Sequence, residues 1–157
     1  MLVLADEEST IFIGQSVAYD GAAIYRSLDG VPKNKRLEFP VVENLQIGYC
    51  TGLSLTGKLP ICIFPRFDFL LLAMDALVNH LDKLPAFGWT PKVIIRARVG
   101  QKKPLDAGPQ HTQNYSNEFR HMLRSVEVLE VCTPKQVLEA YALALENKHS
   151  TLVVENG

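Results

Sequence analysis

Glu43 has a residue type and a position that suit proton chemistry. It follows the apolar residues 39–42 and begins a stretch whose apolar residues are spaced as in a helix. A carboxylate at a helix N-terminus commonly does no more than interact with the helix dipole. A carboxyl group enclosed by apolar side chains is instead kept neutral, and it can then donate a proton or a hydrogen bond. The residues around Glu43 leave both interpretations open.

His111 is the second candidate for proton transfer. It begins the segment His111-Thr112-Gln113, directly after a loop at residues 99–110 that is rich in glycine and proline. An imidazole can accept and release a proton near neutral pH. A single histidine in a loop is most often simply exposed, so the role of His111 depends on what the fold brings near it.

Motifs of other common enzyme classes are missing from the sequence. It contains no glycine-rich phosphate loop, no nucleophile elbow and no His-Glu-x-x-His pair. Neither the histidines nor the cysteines have the spacing of metal ligands, so we expect no metal site on this chain. The cysteines are odd in number and have apolar neighbours, which predicts three buried free thiols. They are Cys50, Cys62 and Cys132.

Short apolar runs alternate with helical periods along the chain. The apolar runs predict strands at residues 11–14, 59–64, 93–98, 126–131 and 151–154. Helical spacing predicts helices at residues 43–55 and 67–84, and Thr133-Pro134-Lys135-Gln136 is a typical start of a third. Strands that alternate with helices predict a three-layer α/β fold, with an open, mostly parallel sheet and helices on both faces.

Ligands of open parallel sheets bind beyond the carboxyl ends of the strands. The loops expected at that edge begin at Glu43, Arg66, Val99 and Cys132. Gly48 and Gly52 are four residues apart on one face of the 43–55 helix, where another backbone can approach closely. We expect this face to pack tightly on the sheet.

The length and charge of the chain indicate a single globular domain and exclude some classes of partner. The 157 residues fit a single domain, 1–157, that can bury a core. With 16 basic and 17 acidic residues the net charge is −1, so nucleic acid is not an expected partner. The sequence shows no signal peptide and no apolar stretch near the roughly 20 residues of a membrane span. We therefore expect an intracellular protein in the reducing cytoplasm.

Five segments, in order, resemble one protein family. They are IFIGQSVAYDGA, KRLEFPVVENLQIGYCTGLSLTGKLPICIF, RFDFLLLAMDALVNHLDK, GPQHTQ, and VLEVCTPKQVLEAYALAL with the following TLVVEN. Together they are similar to the N-terminal half of the beta subunit of the first component of 2-oxo-acid dehydrogenases, such as pyruvate dehydrogenase. That half is the transketolase-type pyrimidine-binding domain. The resemblance runs nearly end to end and implies a thiamine-diphosphate-binding fold.

The resemblance also implies roles for individual residues. By it, Glu43 contacts the pyrimidine ring of thiamine diphosphate, Phe69 stacks on that ring and Val41 lines the pocket. His111 matches the family's histidine near the reacting carbon, where an imidazole can stabilise or shuttle charge. Thr112 stands where serine is usual and keeps the hydroxyl group. The cofactor itself carries the carbanion chemistry.

The family's diphosphate and magnesium signature, Gly-Asp-Gly with a downstream Asn, is missing from this sequence. Asp20-Gly21 and Asp29-Gly30 lack the leading glycine. The resemblance therefore implies an alpha-subunit-like partner that carries the diphosphate-binding domain and the magnesium ion. It implies a split enzyme of the 2-oxo-acid dehydrogenase, decarboxylase or transketolase type, in a homo- or hetero-oligomer.

Two alternative functions remain open. The first is a non-catalytic binding or assembly module that kept the fold and the partner surface. The second is a flavodoxin-like binder of a nucleotide or phosphate, which the missing glycine-rich loop opposes.

Overall fold

A six-stranded parallel sheet forms the centre of the molecule, which the computed structural model describes for residues 1–103 and 106–157. The strands are β1 (Thr10–Gly14), β2 (Arg36–Glu38), β3 (Leu59–Phe64), β4 (Ile94–Arg98), β5 (Glu127–Val131) and β6 (Thr151–Glu155). Their order in the sheet is β2-β1-β3-β4-β6-β5, and every neighbouring pair is parallel. The predicted parallel sheet is thus confirmed.

Helices cover both faces of the sheet. The α-helices of the described residues are α1 (Leu2–Asp6), α2 (Ala23–Arg26), α3 (Glu43–Leu55), α4 (Ser116–Met122) and α5 (Pro134–Glu146). One core lies between the sheet and α3 and α4, and a second lies between the sheet and α1, α2 and α5. The predicted three layers are therefore confirmed. In the described part of the chain, no helix is both long enough and apolar enough to span a membrane.

Strand β3 lies inside the sheet and is buried along its whole length. Ile61 and Ile63 face one core, whereas Cys62 and Phe64 face the other. Successive side chains of a strand point to opposite faces, so a strand covered on both faces must be apolar at nearly every position. This requirement explains the continuous apolar run at residues 59–64.

The single helix predicted at residues 67–84 is wrong. The structure has a 3₁₀-helix at Phe67–Ala73, a π-helix at Asp75–Leu81 and a 3₁₀-helix at Leu84–Phe87. Where the first two meet, Asn44 Oδ1 of α3 accepts a hydrogen bond from the Ala76 backbone N–H at 2.9 Å. A side chain that takes a backbone N–H interrupts the regular ladder of an α-helix. Apolar spacing alone could not reveal this contact, because the partner is distant in sequence.

Strand β2 and helices α2 and α4 are elements that the sequence pattern does not reveal. Strand β2 has three residues at the edge of the sheet, inside a segment whose prolines predict a loop. Elements this short contain too few residues for a recognisable period. The predicted start of α5 is confirmed: Thr133 Oγ1 accepts from the Gln136 N–H at 3.3 Å, and Gln136 Oε1 accepts from the Thr133 N–H at 3.1 Å.

A charged network is buried between β4, β6 and α5. Arg96 Nε and Nη2 donate hydrogen bonds to the two Glu155 carboxylate oxygens at 2.8 and 2.9 Å. The Tyr141 hydroxyl donates to Glu155 Oε1 at 2.8 Å, and Arg96 Nη1 donates to Ser27 Oγ at 2.7 Å. Burial alone lowers the pKa of Arg96, but Tyr141 and Glu155 outweigh burial and raise this pKa above its ordinary value. Buried charges persist when they are paired and hydrogen-bonded in this way.

Candidate functional site

The carboxyl ends of the strands form one edge of the sheet, where a carboxylate holds the first loop. Glu38, the last residue of β2, accepts hydrogen bonds at 2.6, 2.9 and 2.8 Å from the backbone N–H groups of Ser16, Val17 and Ala18. Ser16 has a φ of 60°, a left-handed conformation that side chains rarely adopt. Three bonds to one carboxylate thus fix a strained turn beside the end of β1.

Glu43 is the first residue of α3, and only 5% of it is exposed. Gln15, which directly follows β1, donates from Nε2 to Glu43 Oε1 at 3.2 Å. Among the described residues this is the one hydrogen bond to the Glu43 side chain. A carboxylate has about four acceptor positions. Glu43 therefore keeps capacity for a further polar partner.

Gln46 lies one turn after Glu43 on the same side of α3 and is fully buried. Its Nε2 donates to the Ile63 carbonyl oxygen at 3.0 Å and to Cys62 Sγ at 3.3 Å, which ties α3 to the end of β3. Its Oε1 is buried and has no hydrogen-bond partner in the described chain. Buried polar atoms are nearly always hydrogen-bonded. This oxygen is therefore suited to a donor from a ligand.

Phe69 and His111 pack edge to face at the same edge of the sheet. Their ring centroids are 5.3 Å apart and the ring planes are inclined by 74°. Close approach of two loop segments places the histidine: a Cβ on Gly100 would lie 1.8 Å from the His111 carbonyl oxygen, so only glycine fits there. His111 Nδ1 is buried and lacks a partner among residues 1–103 and 106–157.

Asp68 joins the segment that carries Phe69 to the loop that carries His111. Its Oδ1 accepts a hydrogen bond from the Gln113 backbone N–H at 3.3 Å, and its Oδ2 is buried without a partner in the described chain. The described residues contain one further buried side-chain atom of this kind, Thr151 Oγ1, at the opposite end of the sheet. The unpartnered atoms of Gln46, Asp68 and His111 thus all lie near the functional edge.

A cavity of about 330 Å³ opens beside Phe69 and His111. The other lining residues are Ser16, Pro65, Arg66 and residues 22–24 at the start of α2. Glu43 lies outside this wall, but its partner Gln15 precedes Ser16 of the wall. Val41 is 74% exposed and also lies outside the wall. Of the predicted site residues, the structure therefore brings Phe69 and His111 into one cavity, and Glu43 is connected to the wall of that cavity through Gln15.

Exposed apolar side chains lie on α3, on the two residues before it and on the 3₁₀-helix at Phe67–Ala73. They are Val41, Val42, Leu45, Tyr49, Leu71 and Leu72. Gly48 and Gly52 are also exposed, and no atom lies within 4 Å of a Cβ built on either glycine. The prediction that these glycines pack on the sheet is wrong, because α3 turns Ile47 and Cys50 towards the core instead. We call these six side chains and two glycines the front apolar surface; such patches mark interaction sites.

Gln15, Gln46 and Asp68 are site residues that sequence reasoning missed. Gln15 directly follows a predicted strand, Gln46 is three residues after Glu43, and Asp68 precedes Phe69. A search for polar side chains within one helical turn of each candidate, and at each strand end, would have found all three.

The cysteines agree only in part with the prediction. Cys50 and Cys62 are buried, whereas Cys132 is exposed because it lies just beyond the end of β5. A hydrogen bond with Cys62, followed by burial, raises the pKa of Cys50 well above its ordinary value. Within the described ranges, no group of three or more His, Cys, Asp or Glu side chains is arranged to hold a metal ion.

Similar sequences are found among pyruvate dehydrogenase E1 component beta subunits, named as mitochondrial, although no protein-family model matches the chain. The human subunit is 29% identical over 164 residues, covering 98% of this chain and 44% of the subunit. The Saccharomyces cerevisiae subunit is 28% identical over 159 residues, covering 96% and 42%. The Chaetomium thermophilum subunit is 27% identical over 160 residues, covering 98% and 41%. The chain therefore spans less than half the length of these relatives.

Solved structures with the same fold include transketolases. A split gene transketolase, described as an inactive beta4 tetramer, has a TM-score of 0.74 and 16% identity, covering 96% of this chain and 46% of its own. The transketolase of Campylobacter jejuni has a TM-score of 0.73 and 17% identity, covering 97% and 23%. The resemblance predicted from the motifs is thus confirmed: the chain is similar in sequence to pyruvate dehydrogenase E1 beta subunits and similar in fold to transketolases.

Proposed function

We propose that residues 1–157 act as one pyrimidine-binding domain and supply half of the active site of a thiamine-diphosphate enzyme. The observation that carries the proposal is the bonding of Glu43, a buried carboxyl group with a single partner, Gln15, among the described residues. The acceptor positions that Glu43 keeps free are suited to hydrogen bonds with a ligand, because the described part of the chain uses only one of them. The similarity to pyruvate dehydrogenase E1 beta subunits supports the same assignment.

The residues at this edge fit a pyrimidine ring, which is flat and has polar atoms at its rim. Phe69 offers an aromatic face for stacking. Glu43 can form a hydrogen bond with a ring nitrogen, and Gln46 Oε1 is a buried acceptor with no partner in the described chain. When bound, thiamine diphosphate would supply the carbanion chemistry of 2-oxo-acid decarboxylation or ketol transfer.

In this proposal, Glu43 orients the cofactor and holds a proton at its carboxyl oxygen. His111 lines the cavity, where its imidazole can hold or release a proton towards a substrate. Its contact with Phe69 fixes the orientation of its ring. Val41 is too exposed in this chain to enclose a ligand alone, so its role as a pocket residue requires a partner that covers it.

The proposed partner is an alpha-subunit-like chain with the diphosphate-binding domain and the magnesium ion. The front apolar surface adjoins Glu43 and would be buried against such a partner or against a second copy of this chain. Relatives named as subunits, and a neighbouring structure described as a tetramer, support an oligomer. The reaction would be of the 2-oxo-acid dehydrogenase, decarboxylase or transketolase type. We keep the cytoplasm as the hypothesised location.

The test is a substitution at Glu43 in the assembled enzyme. The partner is first isolated with the tagged chain and checked for Gly-Asp-Gly and a downstream Asn. Turnover of 2-oxo acids and ketose phosphates is then measured with thiamine diphosphate and magnesium. Glu43→Gln should lower turnover about 100-fold or more because the proton donor is lost. Circular dichroism should show an unchanged fold.

Glu146→Gln is the matched control, because Glu146 is exposed at the end of α5, far from the site. Its turnover should equal that of the unsubstituted chain. Equal turnover in Glu43→Gln would overturn the role of Glu43. A stable complex without any activity dependent on thiamine diphosphate would instead favour the non-catalytic assembly module.

A further inference from the structure

A second cavity, of about 390 Å³, lies at the same edge of the sheet as the first. Helix α2 separates the two, because residues 22–24 line the first cavity and Ser27, the C-cap of α2, lines the second. The polar part of its wall comes from the ends of three strands and the start of α5. These residues are Arg96, Arg98, Cys132, Thr133 and Glu155.

Two guanidinium groups share this cavity. Arg96 and Arg98 are two residues apart on β4, so their side chains leave the same face of the sheet, about 7 Å apart along the strand. Arg96 is 6% exposed and uses three of its N–H groups for Glu155 and Ser27. A guanidinium group has five such donors. Two N–H donors of Arg96 therefore remain.

Arg98 carries the uncompensated charge. It is half-buried, and it has no hydrogen-bond or ion-pair partner among residues 1–103 and 106–157. Glu155 carries the one side-chain carboxylate of the described wall, and both of its oxygens bind Arg96. Met1 and Gly157 also line the cavity, and their terminal amino and carboxylate groups are opposite in charge. Among the side chains of the described wall, the charges of Arg96 and Glu155 cancel, which leaves the positive charge of Arg98.

The wall also contains a hydroxyl group that can donate. Thr133 Oγ1 accepts a hydrogen bond from Gln136 and has no acceptor for its own hydrogen among the described residues. The backbone N–H groups of Cys132 and Thr133 are already bound to Gln136 Oε1. We therefore attribute the attraction for an anion to the arginines and this hydroxyl, since the cap already binds the N–H groups of Cys132, Thr133 and Gln136.

We propose that this second cavity binds the phosphate group of a small ligand between Arg98 and Arg96. A phosphate has enough acceptor oxygens to bind both guanidinium groups and the Thr133 hydroxyl at once. A carboxylate has two oxygens in one plane and can serve fewer of these donors. The proposal concerns the chain alone and does not depend on thiamine diphosphate or a partner subunit.

Calorimetric titration of the full chain with inorganic phosphate tests the proposal. Phosphate should bind with a stoichiometry of one, whereas acetate at the same ionic strength should not bind measurably. Arg98→Met should weaken phosphate binding about tenfold or more, because a charge-assisted contact is lost. Arg98→Lys should restore part of the affinity.

Arg26→Met is the matched control, because Arg26 is exposed on α2 and does not line the cavity. It removes the same charge and should leave phosphate binding unchanged. The proposal is overturned by an absence of phosphate binding, by equal binding of acetate, or by equal losses in Arg98→Met and Arg26→Met. If Arg98→Met does not fold, Thr133→Ala must weaken phosphate binding for the proposal to stand. None of these outcomes affects the role of Glu43.

Discussion

Two carboxyl groups, those of Glu43 and Glu155, are largely removed from solvent but differ in the number of hydrogen bonds that they receive. The Glu155 side chain is 15% exposed and receives two hydrogen bonds from Arg96 and one from Tyr141. Glu43 is 5% exposed and receives one hydrogen bond, from Gln15, among the described residues. The more deeply buried carboxyl group therefore has fewer partners.

This difference separates a structural group from a candidate ligand-binding group. Glu155 joins β6 to β4 and α5, and three of its roughly four acceptor positions are filled within the chain. A buried polar group that lacks partners is unfavourable unless something else supplies them. We therefore expect removal of the partner of Glu155 to damage the fold, and changes around Glu43 to damage function first.

The largest effect should follow from removing the partner of Glu155. Arg96→Met leaves a buried carboxylate without its charge partner, and we expect a loss of about 3–5 kcal/mol in the free energy of unfolding. Gln15→Leu is the matched change at Glu43 and should cost about 1–3 kcal/mol, because it leaves one buried acceptor without its hydrogen bond but removes no charge partner. Urea denaturation measures both. Equal losses in the two variants would show that the carboxyl groups have the same role.

A smaller loss of stability is expected from a substitution at Gly100, the glycine that lies against the His111 backbone. Gly100→Ala puts a methyl group against the His111 carbonyl oxygen, which should cost about 1–3 kcal/mol and move the imidazole. Urea denaturation and the NMR signals of the His111 ring report the two effects. The control is Gly52→Ala, for which no atom lies within 4 Å of the added carbon. An unmoved histidine in Gly100→Ala would contradict the close contact.

The smallest effect on stability is expected on the front apolar surface. Gly48→Ala fills open space on α3 and should stabilise the isolated chain by up to about 1 kcal/mol, because alanine favours the helix. The same methyl group should weaken assembly if the glycine face meets a partner closely. Thermal unfolding and sedimentation of the complex measure the two effects. Stabilisation with unchanged assembly would place the interface elsewhere.

Much of the sheet could be predicted from sequence because buried parallel strands are continuous apolar runs, as at residues 59–64. The edge that carries Glu43 and His111 could also be predicted, because ligands of open parallel sheets bind beyond the carboxyl ends of the strands. The contact of Asn44 with Ala76 and the bond from Gln15 to Glu43 could not be predicted, because they join residues 32 and 28 positions apart. Neither contact leaves a periodic signal in the sequence.

The position of β6 has a consequence for how the protein is made. Residues 151–155 form an inner strand that separates β4 from β5, although they follow both of these strands in chain order. Parallel strands pair only after their crossover segments are in place. During synthesis, β5 and α5 therefore lack their neighbour β6 until residues 151–155 have left the ribosome. The apolar face of α5 then lacks one of the two strands that it contacts, and apolar surface exposed in this way is prone to misassociation.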